Sequence, residues 1–273
     1  MLIDAHCHVW RIGQNDHEWP TPDLPAIHRD FDLDDLVRVG AEVGLTGAVL
    51  VQSQPSQRDT EWLLEIAADH PLALGVVGWT DIASADAVER IAALAANPCL
   101  KGLRPMLQDL ADDWVLESRL EPALAAMVAA DLSFDALVRP RHLPSLLELV
   151  RRWPDLRVVI DHGAKPDIGA GRLDPWREQI AALAAAPGVH CKLSGLLTEA
   201  GETPTAEALA PFVAHLLEAF GADRLMWGSD WPVLSLASDY RGWQAMADAF
   251  AAPLDPTGRR ALFGETAKRF YRL

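Results

Sequence analysis

Met1-Leu-Ile-Asp-Ala-His-Cys-His-Val-Trp10 opens the chain. An apolar start, Leu2 and Ile3, runs into His6 and His8 at spacing i, i+2. Side chains alternate faces along a strand, so both imidazoles are expected on one face, at the strand's C-terminal end. A pair of half-exposed histidines on an edge strand has the same spacing, because His-x-His is short and common. The rest of the chain decides between the two.

The next stretch, Arg11 to Asp30, is polar but carries Trp19, Pro20, Pro22, Pro25, His17 and His28. Loops this long in compact domains are usually functional or disordered, and the aromatic content predicts an ordered one packed over something. Asp32, Asp34 and Asp35 then open a helix with acidic residues in its first turn, as the helix dipole prefers. From there short apolar runs alternate with helical stretches. Strands are expected over 46–52, 72–79, 100–105, 133–139, 157–162, 189–195 and 224–232. Helices are expected over 57–69, 84–96, 118–130, 141–152, 174–186, 204–220 and 239–251, with a last one near 257–271. Counting the first strand, that makes eight strand–helix units.

Such alternation implies an α/β protein whose parallel sheet is covered on its outer face. Eight units predict a (β/α)₈ TIM barrel with a C-terminal extra helix and catalytic groups at the C-terminal strand ends. An open doubly wound sheet would want a Gly-rich turn after the first strand, and none is present. No linker divides the chain, so residues 1–273 read as a single barrel domain.

The 273 residues suit such a barrel, and half of them are hydrophobic, enough for a large core. A net charge of −15 argues against nucleic acid and anionic membrane as partners. The three cysteines, Cys7, Cys99 and Cys191, show no short-range pairing pattern. That fits a reducing, cytoplasmic setting. The N-terminus lacks a basic segment followed by an apolar run, and no apolar stretch approaches a membrane span, so neither a signal peptide nor a span is expected. Oligomeric state is not legible.

If these are barrel strands, polar residues at their ends converge: His6 and His8 on the first, Gln52 on the second, Arg104 on the fourth, His162 on the sixth, Asp230 on the eighth. By alternation Val158, Ile160 and His162 share a face, as do Leu100, Gly102 and Arg104, and Met226, Gly228 and Asp230. Three imidazoles and a carboxylate in one mouth are donors suited to a divalent ion, zinc first. Such an ion lowers the pKa of bound water to roughly 7 and polarises a carbonyl. Asp230 fits a general base, and His162 either a ligand or a group that steadies an oxyanion and shuttles a proton. Taken singly, a strand-end His is often structural, and the Asp of Gly-Ser-Asp-Trp-Pro often a turn residue. The conjunction favours a site.

Three stretches carry a resemblance: Ile3-Asp-Ala-His-Cys-His8, Val159-Ile-Asp-His-Gly-Ala-Lys-Pro166 and Met226-Trp-Gly-Ser-Asp-Trp-Pro232. Together they resemble the amidohydrolase superfamily, and within it the amidohydrolase-2 branch that holds sugar-lactone hydrolases of the L-fucono- and L-rhamnono-lactonase type. The resemblance extends over Lys101-Gly-Leu-Arg104, Lys192-Leu-Ser-Gly195 and Arg269-Phe-Tyr-Arg272. It implies a (β/α)₈ barrel, hydrolysis of a cyclic ester, and the family's site roles for His6, His8, His162 and Asp230: all four as metal ligands, Asp230 and His162 also in catalysis. The chain departs from the wider superfamily on its fifth strand, which ends without the Lys or His that typically supplies a ligand there. One divalent ion, zinc by preference, is therefore expected beside a metal-free alternative, in which the three histidines polarise the carbonyl and Asp230 deprotonates water.

Among substrate contacts, Arg104 is a candidate for a hydroxyl or carboxylate, or for an ion pair with Asp135. Gln52 is a candidate for a sugar hydroxyl, Lys165 for the mouth or for solvent, and Trp10 for a stacking wall. Lys192, inside a strand, needs a partner or the mouth. The expected function is hydrolysis of a small-molecule sugar-acid lactone, in carbohydrate metabolism. Rivals are a decarboxylase of the same barrel branch, a metal-free hydrolase of a dicarboxylate lactone, and a non-catalytic barrel that binds a ligand.

Overall fold

The computed structural model describes residues 1–202 and 204–273. Among them, eight parallel strands follow one another round a ring: β1 (Ile3–Cys7), β2 (Gly47–Val51), β3 (Ala73–Gly78), β4 (Leu100–Leu103), β5 (Ser133–Ala136), β6 (Arg157–Ile160), β7 (Val189–Leu193) and β8 (Leu225–Trp227). Each pairs in parallel with the next. The ring closes just past β8, where Cys7 bridges Trp231. This is the TIM barrel expected, and the sequential order excludes the doubly wound sheet.

Helices α1 (Leu33–Ala41), α2 (Gln57–Asp69), α3 (Ala87–Ala95), α4 (Glu121–Ala129), α5 (Leu143–Arg152), α6 (Trp176–Ala184), α7 (Ala206–Phe220) and α8 (Tyr240–Phe250) cover the ring. Four of the eight start at a side-chain cap. Asp32, Ser56, Thr205 and Asp239 accept hydrogen bonds from first-turn amides that would otherwise be orphaned. The expected helix near 257–271 is instead two, α9 (Pro256–Arg260) and α10 (Thr266–Tyr271), joined by a π-turn over Ala261–Glu265 with a non-helical Gly264.

The apolar residues form two clusters. A large one lies between strands and helices. A small one fills the barrel's interior, with Ile3, Ala5, Val49, Val51, Val77, Val159 and Met226 joined from below by Ala267, Phe270 and Tyr271 of α10. The last helix therefore plugs the barrel floor.

This clustering corrects two of the expected faces. Val158 and Ile160 pack outward, and Val159 is the inward residue of β6. Leu100 also packs outward, and the β3–β4 register slips between Leu100 and Gly102. Bulges and a change of backbone hand, not strict alternation, bring the polar groups to the mouth.

Candidate active site

β1 delivers both histidines through a bulge. Its register against β2 slips between Asp4 and Cys7. Asp4 turns away from the interior and pins the seam: its carboxylate accepts from Ser229 N (2.8 Å), Ser229 Oγ (2.5 Å), Tyr240 Oη (2.9 Å) and His6 N (3.1 Å). Burial raises its pKa to about 6 despite these donors. Two main-chain bonds complete the seam, Asp230 N to His6 O at 2.8 Å and His8 N to Trp231 O at 2.7 Å.

β6 stops at Ile160, and His162 is not a strand residue. It sits at φ +54° in a left-handed run that includes Gly163, Ala164 and Lys165. Asp230 is likewise left-handed, at φ +59°. Non-glycine residues in this region are strained and cluster where a side chain must be aimed. Gly195 gives His162 its room: a Cβ there would lie 2.5 Å from His162 Nδ1.

The side chains meet as expected. His6 Nε2 lies 3.2 Å from His8 Nε2. Asp230 Oδ1 lies 3.3, 3.6 and 3.9 Å from the Nε2 atoms of His8, His6 and His162. His8 Nδ1 donates to Val51 O at 2.8 Å, and His162 Nδ1 meets Ser194 Oγ at 2.9 Å. All four residues are buried. Burial would raise Asp230, but His162, then the other two imidazoles, hold it well below the usual carboxylate range. Burial lowers His162 to about 4, against the pull of Asp230 and Asp161.

Tetrahedral zinc with bonds of about 2.0–2.1 Å sets its ligand atoms about 3.3 Å apart. The His6–His8–Asp230 spacings match that, and the outward nitrogen of His8 is held by a carbonyl, as a metal-ligating imidazole usually is. The donor set therefore fits a divalent ion. His6, His162 and Asp161 form a second close group.

A cavity of about 630 Å³ opens above these residues, lined by His8, Asp230, His162, Arg104, Lys165 and Trp19 among others. Arg104 Nη1 lies 3.5 Å from His6 Nε2 and 3.6 Å from Asp161, not against Asp135, the ion-pair partner considered for it. Lys165 Nζ donates to Gln108 at 2.8 Å. Two candidate substrate contacts lie behind the wall. Gln52 is fully buried, and its amide bonds Arg104 O while Arg104 Nη2 donates to Gln52 O. Trp10 is buried too, its indole N–H on Arg29 O and its ring against Trp19 and Phe31. The 11–30 loop is ordered over the mouth. Buried Gln54 grips it, accepting from Glu18 N and donating to Trp19 O.

Sequence reasoning missed Asp161, which continues the inward alternation from Val159 and sits 3.4 Å from His6 Nδ1. It also left Lys192 without a partner. Lys192 Nζ lies 2.7 Å from Asp135, 2.9 Å from Asp161 and 3.2 Å from His6 Nδ1. Tyr271 Oη donates to the same Asp135 from the floor.

Known proteins resemble this chain along nearly its whole length. The L-fucono-1,5-lactonase of Burkholderia ambifaria is 50% identical over 99% of this chain and 95% of its own. That of Burkholderia multivorans is 34% identical over all of this chain and 96% of its own. A crystal structure of a Burkholderia multivorans amidohydrolase with bound zinc superposes at a TM-score of 0.93, with 35% identity, covering 100% of this chain and 99% of that one. The Amidohydrolase family model (Amidohydro_2) matches residues 3–273, and the chain belongs to the amidohydrolase family.

Proposed function

We propose that the protein hydrolyses the cyclic ester of a sugar-acid lactone, an aldonolactone of the L-fucono-1,5-lactone kind, in carbohydrate metabolism. The observation that carries this reading is the meeting of His6, His8 and His162 with Asp230 at the base of one cavity. The 50% identity to a lactonase along nearly the whole chain supports it.

Asp230 Oδ1 takes a proton from the attacking water, whose oxygen bonds the lactone carbonyl carbon. The carbonyl oxygen rests against the His6–His8 edge, with Arg104 Nη1 3.5 Å from His6. Collapse breaks the ring C–O bond, and the expelled alkoxide takes a proton relayed by Asp230 or His162. The open acid then ionises and releases one proton to solvent. His6, His8, His162 and Asp230 would hold a divalent ion, zinc by preference, which when bound supplies Lewis-acid polarisation and a more acidic water. An ester is reactive enough for the imidazoles to suffice alone. Trp19, Leu137 and Val233 offer apolar surface to the ring, while Arg104 and Lys165 offer donors to its hydroxyls.

The test is a pH-indicator screen of aldonolactones, with and without chelator, on the wild type and Asp230→Asn. Proton release that drops by about 10²–10⁴ in the variant is expected for loss of a general base. Full activity in Asp230→Asn refutes the mechanism. Two cations in the cavity wall also suit a carboxylate, so carbon dioxide is measured in parallel. Its release without hydrolysis assigns a decarboxylase instead.

A further inference from the structure

We propose that Lys165 and Gln108 form a hydroxyl-reading subsite in the cavity wall, one that selects a neutral polyhydroxylated ring over a ring bearing a carboxylate. That the ring is a lactone rests on the reading above; the choice between hydroxyl and carboxylate does not.

Three strand ends build the subsite. Lys165 follows β6 in the left-handed run, at φ +51°, and its amide donates to His162 O at 2.9 Å. The turn that aims His162 therefore aims Lys165 as well. Gln108 lies on a 3₁₀ turn after β4, Leu107–Asp109. Its main chain is held on both sides: its amide donates to Leu137 O at 2.8 Å, and its carbonyl accepts from Arg141 Nη2 at 2.9 Å. Lys165 Nζ donates to Gln108 Oε1 at 2.8 Å, and both residues line the cavity. Glu199, on a turn after β7 (Leu197–Glu199), comes within 4.0 Å of the ammonium, too far for a hydrogen bond.

An ammonium carries three N–H donors. Among the described residues, Gln108 accepts one of them and no other group takes a second. The Lys165 side chain is only 18% exposed, so idle donors there carry a desolvation cost. Two donors are left for whatever fills the cavity. Gln108 Oε1 keeps a second lone pair beside them. A donor next to an acceptor matches a hydroxyl, which does both; a carboxylate only accepts and would set its lone pairs against Gln108 Oε1. Charge points the same way. Glu199 offsets Lys165, and Asp161 lies 3.6 Å from Arg104. The lining sets Arg104 and Lys165 against Glu18, Asp109 and Asp230, so an anion finds no surplus of positive charge.

The test is calorimetry on the full chain with three δ-lactams, whose amide is far less reactive than the ester. One carries the hydroxyls of L-fucono-1,5-lactone, one is unsubstituted δ-valerolactam, and one is δ-valerolactam with a 6-carboxylate. Wild type should bind the hydroxylated ring more tightly than δ-valerolactam by about thirtyfold or more. The carboxylate ring should bind no more tightly than δ-valerolactam. Lys165→Met should cut the preference for hydroxyls by about tenfold, and Gln108→Leu by about threefold. A wild type without the preference, variants that keep it, or any gain in affinity from the carboxylate overturns the proposal. Should a variant fail to fold, the comparison of the three rings in wild type decides. Binding does not depend on turnover. An intact preference beside a failed lactone screen would remove the lactonase reading and leave the subsite standing.

Discussion

Asp4→Ala tests whether the β1–β8 seam holds the site together. The substitution removes the acceptor for four donors. The hydroxyls of Ser229 and Tyr240 can rotate, but the amides of Ser229 and His6 are fixed and buried. Each orphaned amide costs about 1–3 kcal/mol, or about 2–6 kcal/mol for the two. A second effect opposes this one and depends on pH. Burial pushes the folded Asp4 carboxyl up to about 6 from its ordinary 3.8. Between those values the folded chain holds a proton that the unfolded chain has lost. Asp4's own contribution is thus fully present below pH 3.8 and lost as pH rises through 6. At about 1.4 kcal/mol per pH unit the whole loss is about 3 kcal/mol, of which about 1.4 falls between pH 5 and pH 8. The alanine variant has no such loss. Its deficit should therefore be larger at pH 5 than at pH 8 by about 1.4 kcal/mol. Urea unfolding followed by tryptophan fluorescence at the two pH values measures both quantities. Because Ser229 precedes Asp230, kcat of the folded fraction should fall as well. A deficit that stays constant or grows with pH would refute the reasoning.

Gly195→Ala should leave a folded protein with kcat reduced by tenfold or more, since the new methyl meets the His162 ring in a backbone that already has φ +62°; unaltered steady-state kinetics would contradict the placement of His162. Gln54→Leu frees the Glu18–Trp19 segment from its side-chain hydrogen bonds to Gln54, so KM should rise several-fold while kcat holds, and equal falls in both would place Gln54 elsewhere in the cycle. The His190 imidazole is lowered to about 4 from its ordinary 6.5 by burial against Phe270. Its neutral form contributes stability that is complete above pH 6.5 and lost as pH falls towards 4. After allowance for partial exposure this amounts to about 2 kcal/mol. His190→Phe should therefore move the acid-unfolding midpoint to lower pH, and a midpoint that stays put or rises counts against it.

The architecture was legible because each unit repeats the same signal, a short apolar run followed by a helical stretch. The four residues of the mouth were legible because each ends such a run. Alternation alone could not place them, however. His162 reaches the cavity by a left-handed turn, and His6 by a bulge; a period-two pattern has no term for either. Asp161 was missed for that reason, being counted outward when Val159 is the inward residue of β6. Gln52 and Trp10 were assigned to substrate from polarity and aromaticity, whereas the structure gives both to second-layer support, one beneath Arg104 and the other beneath the 11–30 loop. Pairings such as Lys192 with Asp135 join positions far apart in the chain, and no local pattern announces them.

The seam has a consequence for how this molecule comes to life. His8 and Asp230 stand 222 positions apart, and the bonds that dock their two segments are the ones that set their spacing. A nascent chain holding seven of the eight units possesses every imidazole of the mouth but lacks Asp230. Chemistry should switch on in one step when the ring is joined, so fragments would regain it only by complementation and never in proportion to their length.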